Sequence, residues 1–204
     1  MELTGEMKKM ERLAKAITNY CLKNELIEEG KSEIYLYGFK LIIADIINYA
    51  IVILLGMLFG EVLESAVFLI CLCGLRQFSG GFHAKSFWLC RLSMIVTFLL
   101  VVIISDAVWK TDVSAAMAIL INVCSALAIS IFAPIENINK PMTDEQRHSN
   151  KIKSILTSIF LSCISIVLMM CDIKSGVTIS ITLLAVVVLM IIGMAMKKGG
   201  KEND

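Results

Sequence analysis

After Gly30 the chain runs through six long apolar stretches, near 34–59, 62–75, 92–108, 114–135, 152–171 and 177–196, parted by short polar connections. A helix needs roughly 20 apolar residues to cross about 30 Å of hydrocarbon, so this pattern predicts a bundle of membrane-spanning helices. The second stretch, 62–75, is short by that measure, and the expectation is a half-helix running into a partly re-entrant segment from Arg76 to Cys90. Irregular backbone at such depth is tolerated only where protein buries it or water lines it. Composition agrees, since 57% of the 204 residues are hydrophobic and the mean hydropathy is +0.80, against about 45–50% apolar residues in soluble domains. The expected fold class is all-α: one membrane domain over 1–204, made of an amphipathic segment (1–30), a six-span bundle (34–196) and a basic tail (197–204).

Between residues 3 and 27, Leu3, Met7, Met10, Ala14, Ile17 and Cys21 recur at steps of three and four, with Lys8, Lys9, Arg12, Lys15 and Lys23 on the other sides. That periodicity predicts an amphipathic helix lying in the membrane interface. The segment lacks the pattern of a secretory signal and is expected in the mature protein.

Cations then orient the chain. Of the 19 Lys and Arg residues, only Lys110 and Lys174 fall in the connections 60–61, 109–112 and 172–176. The others lie before or at the start of the first span, in the alternate connections, or after the last span. The positive-inside rule places both termini and the His83–Cys90 segment in the cytoplasm. Trp109, Tyr35 and Tyr37 stand near span ends, where amphipathic rings anchor at the headgroups. The bilayer is the expected partner, and no nucleic-acid partner is expected.

Seven cysteines are an odd number, mostly inside apolar runs, which argues against a disulfide framework. Cys71 and Cys73 form a C-x-C, but no second pair or nearby histidine completes a ligand set, so no metal site is expected. Cys124, Cys163 and Cys171 are expected to be buried as small apolar side chains. His148 falls in the polar stretch TDEQRHSN and is expected to be a solvated loop residue. In the first span, Asp45 and Asn48 lie one turn apart on one face, and an ionisable residue in a membrane helix is a functional candidate by default.

One stretch breaks the apolar monotony: RQFSGGFHAKSFWLCR, from Arg76 to Arg91. Gly80 and Gly81 permit positive φ or a close backbone approach. His83 and Cys90 follow seven residues apart. An imidazole and a thiol are the minimum for nucleophilic acyl chemistry, the base taking the thiol proton and the thiolate attacking a carbonyl. On an unbroken helix the two would stand about 10.5 Å apart along the axis, so cooperation requires the chain between them to bend. Cys90 opens the next helix, where the positive end of the dipole and Arg91 both favour a thiolate.

The string RQFSGGFHAKSFWLC, followed after two spans by APIENINKP, resembles the accessory gene regulator B (AgrB) family, the membrane cysteine endopeptidases of Gram-positive peptide quorum sensing. The similarity covers most of the chain: the basic amphipathic start, the histidine and cysteine after Arg76 and the glycine pair, six spans, and the loop with proline and lysine. The resemblance implies Cys90 as nucleophile and His83 as its base, matches Arg76 and Gly81 to motif positions of the family, and puts Lys140 in a loop whose cations matter there; Gly80 and Lys85 are further supporting candidates. It implies no cofactor. It further implies a propeptide substrate with an amphipathic helix and an acidic C-terminal tail, which is cut and closed as a thiolactone or lactone, and a homodimer in the cell membrane. Where the family often carries a denser cationic cluster, here Lys140 stands apart from Arg147. No third member of a triad is evident; Asp45, Asn48, Ser79 and Glu136 are candidates for orienting His83. A small transporter or channel for a peptide or ion, built around polar residues such as Asp45, is the alternative, and it would survive Cys90→Ala.

Overall fold

The computed structural model describes residues 5–80, 87–111, 114–135 and 142–201. Over these residues the protein is helical: α1 Gly5–Lys23, α2 Ser32–Leu58, α3 Val62–Ser79, α4 Phe87–Trp109, α5 Ser114–Phe132, α6 Asp144–Met170 and α7 Ser175–Lys201. α2 to α7 supply six helices long and apolar enough to cross a membrane, and the fold is an all-α membrane bundle. The chain forms two compact units, Met1–Ile51 and Val52–Asp204.

In the first unit α1 buries Met10, Ala14 and Thr18, a stripe with four-residue steps in which Thr18 returns its hydroxyl to the Ala14 carbonyl at 2.9 Å. Glu11 pairs with Lys15 at 3.1 Å and with Lys40 of α2 at 3.5 Å. The hydrogen bond from Lys15, reinforced by both ammonium charges, holds the Glu11 carboxyl below the usual carboxylate range. On α2 Ala44, Asn48, Val52 and Gly56 are buried, whereas Asp45 is exposed. The buried row follows the four-residue ridge, which leaves a residue three before Asn48 off its line.

The second unit is built around α7, which contacts α3, α4, α5 and α6. Its residues from Ser175 to Leu183 are buried on all sides, and they are small or β-branched for the most part, which lets neighbouring backbones close in. α6 presents Ser154, Ser158, Leu161 and Ser165 as its buried row. Ser165 is the hub: its hydroxyl donates to the Gly176 carbonyl at 2.7 Å, lies 2.8 Å from the Ser180 hydroxyl, and accepts from the Asn122 amide of α5 at 3.1 Å. A Cβ at Gly176 would stand 2.6 Å from the Ser165 carbonyl oxygen, so only glycine permits this approach. Between α3 and α4, Phe68 and Phe98 stack tilted with centroids 5.4 Å apart. Large side chains such as Ile70, Ile103, Leu120 and Phe160 remain outward, as a lipid-facing surface requires.

Helix ends depart from the apolar boundaries for local reasons. α3 does not stop at 75 but continues to Ser79, 18 residues in all, because Arg76, Gln77 and Ser79 are polar yet keep the backbone ladder, closed by Gly80 N–H on the Arg76 carbonyl at 3.1 Å. At 1.5 Å per residue this is about 27 Å, close to a full span. α5 ends at Phe132 instead of 135, since the residue before Pro134 is forced out of helical geometry. α6 starts eight residues before its apolar run, at a capping box in which Thr143 and Gln146 satisfy each other's backbone N–H groups. His148 therefore sits on a helix and not in a loop, although it is exposed as expected.

Candidate active site

The two ends of the second unit differ in chemistry. At one end Lys174, between α6 and α7, reaches Glu61 at 2.6 Å and Asp106 at 3.2 Å, drawing together the connections that flank α3, α4 and α7. The expected alternation of connections between two ends is thus present in the geometry. The other end carries the stretch singled out by sequence.

There α3 terminates in Gly80, with φ +69° and ψ −149°, a region essentially reserved for glycine. Ile135 donates its amide to the Ser79 carbonyl at 2.9 Å, and Gly80 and Ile135 form an isolated parallel bridge. A Cβ on Gly80 would lie 2.2 Å from the Ile135 carbonyl oxygen. Both reasons given for a glycine here, positive φ and close approach, apply to this one residue. Ala133 and Ile135 are buried beside it, so the beginning of APIENINKP is fastened to the middle of RQFSGGFHAKSFWLC. Gly81, His83 and Lys85 follow directly after Gly80, and Glu136 and Lys140 after Ile135; all five lie outside the described residues.

Cys90 is the fourth residue of α4 and is partly exposed. First-turn N–H groups have no intrahelical acceptor, and the dipole there is positive. One residue on, the Arg91 guanidinium lies 5.6 Å from the centroid of the exposed Trp88 ring. Arg76 is half-buried in the last turn of α3, and Ser79 is fully buried. Asp45 and Asn48 belong to the other unit.

Two features at this end were not singled out by sequence reasoning. The Lys153 ammonium of α6 lies over the Phe78 ring of α3 at 5.7 Å. A cavity of about 410 Å³ opens between the end of α5 (Ile131, Phe132, Pro134) and Arg147, His148 and Lys151 of α6. The signal available was the spacing 147, 148, 151, which shares a helix face once α6 is known to begin at Asp144.

The cysteines divide. Cys71 is buried and Cys73 half-buried on α3, but Cys124, Cys163 and Cys171 are exposed, contrary to expectation, and all seven are free thiols. In a bilayer an outward apolar side chain meets lipid tails as apolar as the core, so hydropathy could not assign these three to the interior. Among the described residues no group of three His, Cys, Asp or Glu is arranged to hold a metal.

Comparison with known proteins places this geometry in context. The family model for accessory gene regulator B matches residues 14–194. An AgrB-like protein of Clostridium perfringens is 26% identical over 167 residues, 78% of each chain. The accessory gene regulator protein B of Staphylococcus intermedius is 28% identical over 120 residues, 59% of this chain and 60% of its own. Protein FsrB of Enterococcus faecalis is 34% identical over 71 residues, 35% of this chain and 29% of its own. No solved structure matches.

Proposed function

This chain belongs to the accessory gene regulator B family, and from that premise we propose that it is a membrane cysteine endopeptidase that trims a quorum-sensing propeptide and promotes its cyclisation. The Cys90 thiolate attacks the carbonyl at the cut, forming the C–S bond of an acyl thioester. The peptide C–N bond breaks, and His83, which took the thiol proton, returns a proton to the departing amine. A thioester retains most of the activation of the acyl group, so a thiol or hydroxyl within the substrate can displace Cys90 and close a thiolactone or lactone without ATP. Exclusion of water keeps hydrolysis from competing.

The observation that supports this reading most is the Ser79–Ile135 hydrogen bond with the Gly80 bridge. It fastens the two strings that carry the family resemblance to each other, with six residues between Gly80 and the start of the helix that bears Cys90. The substrate in this reading is a short propeptide with an amphipathic helix and an acidic tail, to which Arg76, Lys85, Arg91 and Lys140 offer opposite charge. The site faces the cytoplasm of a Gram-positive cell, with both termini on the same side, and two copies pair in the membrane.

Co-expression with a candidate propeptide tests the chemistry. Wild type should yield a shortened product, and Cys90→Ala and His83→Ala none, although both variants insert normally. Cleavage by either variant would refute the assignment. Two differently tagged copies should co-purify; their failure to do so would remove the pairing but leave the chemistry.

A further inference from the structure

The end of the bundle away from Cys90 holds a second concentration of polar groups, and the proposed protease reaction makes no use of it. Glu64, in the first turn of α3, is 5% exposed. Its Oε1 accepts a hydrogen bond from the Ser175 hydroxyl at 2.8 Å, but its Oε2 is buried with no hydrogen-bond partner among the described residues. Two hydroxyls near the same end of the bundle share that condition: Ser105 Oγ in the last turns of α4 and Thr178 Oγ1 in the first turn of α7, both fully buried.

Their convergence follows from the ion pairs around them. Lys174 reaches Glu61, one turn before Glu64, and Asp106, the neighbour of Ser105. It also directly precedes Ser175, which lies one turn before Thr178. α3, α4 and α7 contact one another pairwise, so Glu64, Ser105 and Thr178 are brought from three helices to one level of the bundle. Buried polar atoms are almost always satisfied, and three orphaned oxygens at one level of a membrane bundle call for a shared partner.

The charge balance says which kind. Glu61, Glu64 and Asp106 carry three formal negative charges, and Lys174 and Lys110, the latter 2.6 Å from Asp106, carry two positive ones. Asp172, in the same connection as Lys174, is exposed and adds one further formal negative charge on the solvent side. Both ammoniums are engaged by Glu61 and Asp106, and Glu64 is left with a single neutral hydroxyl donor. An anionic site of oxygens alone, with one carboxylate and hydroxyls, suits a hard cation of single charge; a divalent ion would ask for more carboxylates.

We propose that Glu64, with Ser105 and Thr178, binds an alkali-metal cation where α3, α4 and α7 meet, and that this ion fastens the three helices at the end opposite Cys90. The inference does not rest on the protease reading. The full-length protein in detergent should gain thermal stability as sodium or potassium chloride replaces choline chloride at constant ionic strength, with a rise in Tm that saturates. Glu64→Gln should remove the dependence, and Ser105→Ala and Thr178→Val should each move its midpoint several-fold to higher cation concentration. Radiolabelled sodium should be retained in equilibrium dialysis by wild type and lost from Glu64→Gln. Equal stability in choline and in both alkali salts would overturn the proposal, as would an unaltered response in Glu64→Gln. If Glu64→Gln does not fold, unshifted midpoints in both hydroxyl variants would overturn it instead.

Discussion

Ile135 donates its amide to the carbonyl of Ser79 at 2.9 Å, joining two residues that lie 56 positions apart and on either side of two membrane helices. This bond, with the Gly80 bridge beside it, fixes where the segment leading to His83 departs from α3. It also fixes where the segment leading to Lys140 departs from α5. One short backbone pairing thus sets the root of both stretches on which the proposed reaction depends.

Gly80→Ala should therefore impair cleavage far more than insertion. Holding a non-glycine residue at this backbone geometry costs on the order of 1–3 kcal/mol, and the new Cβ, 2.2 Å from the Ile135 carbonyl oxygen, must push the two segments apart. Misplacement of reacting groups by about 1 Å costs roughly 100-fold in rate, so propeptide cleavage should fall by at least about tenfold at wild-type membrane abundance. Gly74→Ala is the control: its Cβ meets nothing within 4 Å, and cleavage should be unchanged.

Gly176→Ala should weaken the bundle without touching that site. Its Cβ would lie 2.5 Å from Met169 Cγ and 2.6 Å from the Ser165 carbonyl oxygen, and backbone cannot yield as a flexible side chain can. Overpacking of this kind costs about 1–3 kcal/mol, and separation of α6 from α7 would also lengthen the bond from Ser165 to the Gly176 carbonyl. Thermal unfolding in detergent should show a lower Tm, and Ser165→Ala, which removes only hydrogen bonds, should lose about 1 kcal/mol.

Much of the architecture could be read from hydropathy because a bilayer imposes length: each of the six apolar runs is a helix. Polar extensions were not legible, since Arg76–Ser79 and Asp144–Lys151 become helical through backbone bonding and a capping box, which an apolar count ignores. Nor could lipid-facing be told from buried, because both are apolar, and Cys124 and Cys163 were misplaced for that reason. At the site, Gly80 was legible as a special backbone position. Its partner Ile135 was not, except through the resemblance that put the two strings side by side, because a single backbone bond across 56 positions leaves no periodic trace. Glu64 escaped notice because a carboxylate in the first turn of a span reads as a boundary residue, although the structure buries it.

Lys174→Met should reveal how much the Glu61–Lys174–Asp106 network contributes. The Lys174 side chain is 19% exposed and that of Asp106 40%, so the network lies between a surface pair and a buried one, and its loss should cost about 1–2 kcal/mol. Desolvation, the largest single influence, pulls the Lys174 ammonium downward. The hydrogen bonds and charges of Glu61 and Asp106 together outweigh it and leave the group above the usual lysine range. A folded value raised above the unfolded one contributes stability that is complete below the ordinary lysine pKa and is lost as pH rises through the folded value. Wild type should therefore lose Tm more steeply than Lys174→Met between roughly pH 9 and 12.

Orientation is tested by the two chemically distinct ends. The end with Ser79, Ile135 and the start of α6 carries Arg147, Lys151 and Lys153, whereas the other holds Lys110 and Lys174 already matched by carboxylates. Clusters of cations at span ends resist translocation, so the first end should remain in the cytoplasm. In a variant stripped of its native cysteines, a cysteine at exposed Asp172 should react with an impermeant maleimide in intact cells, and one at exposed Glu145 only after lysis. The reverse pattern would put Cys90 outside, away from a newly made propeptide, and the protease reading would then fail on topology even with its chemistry intact.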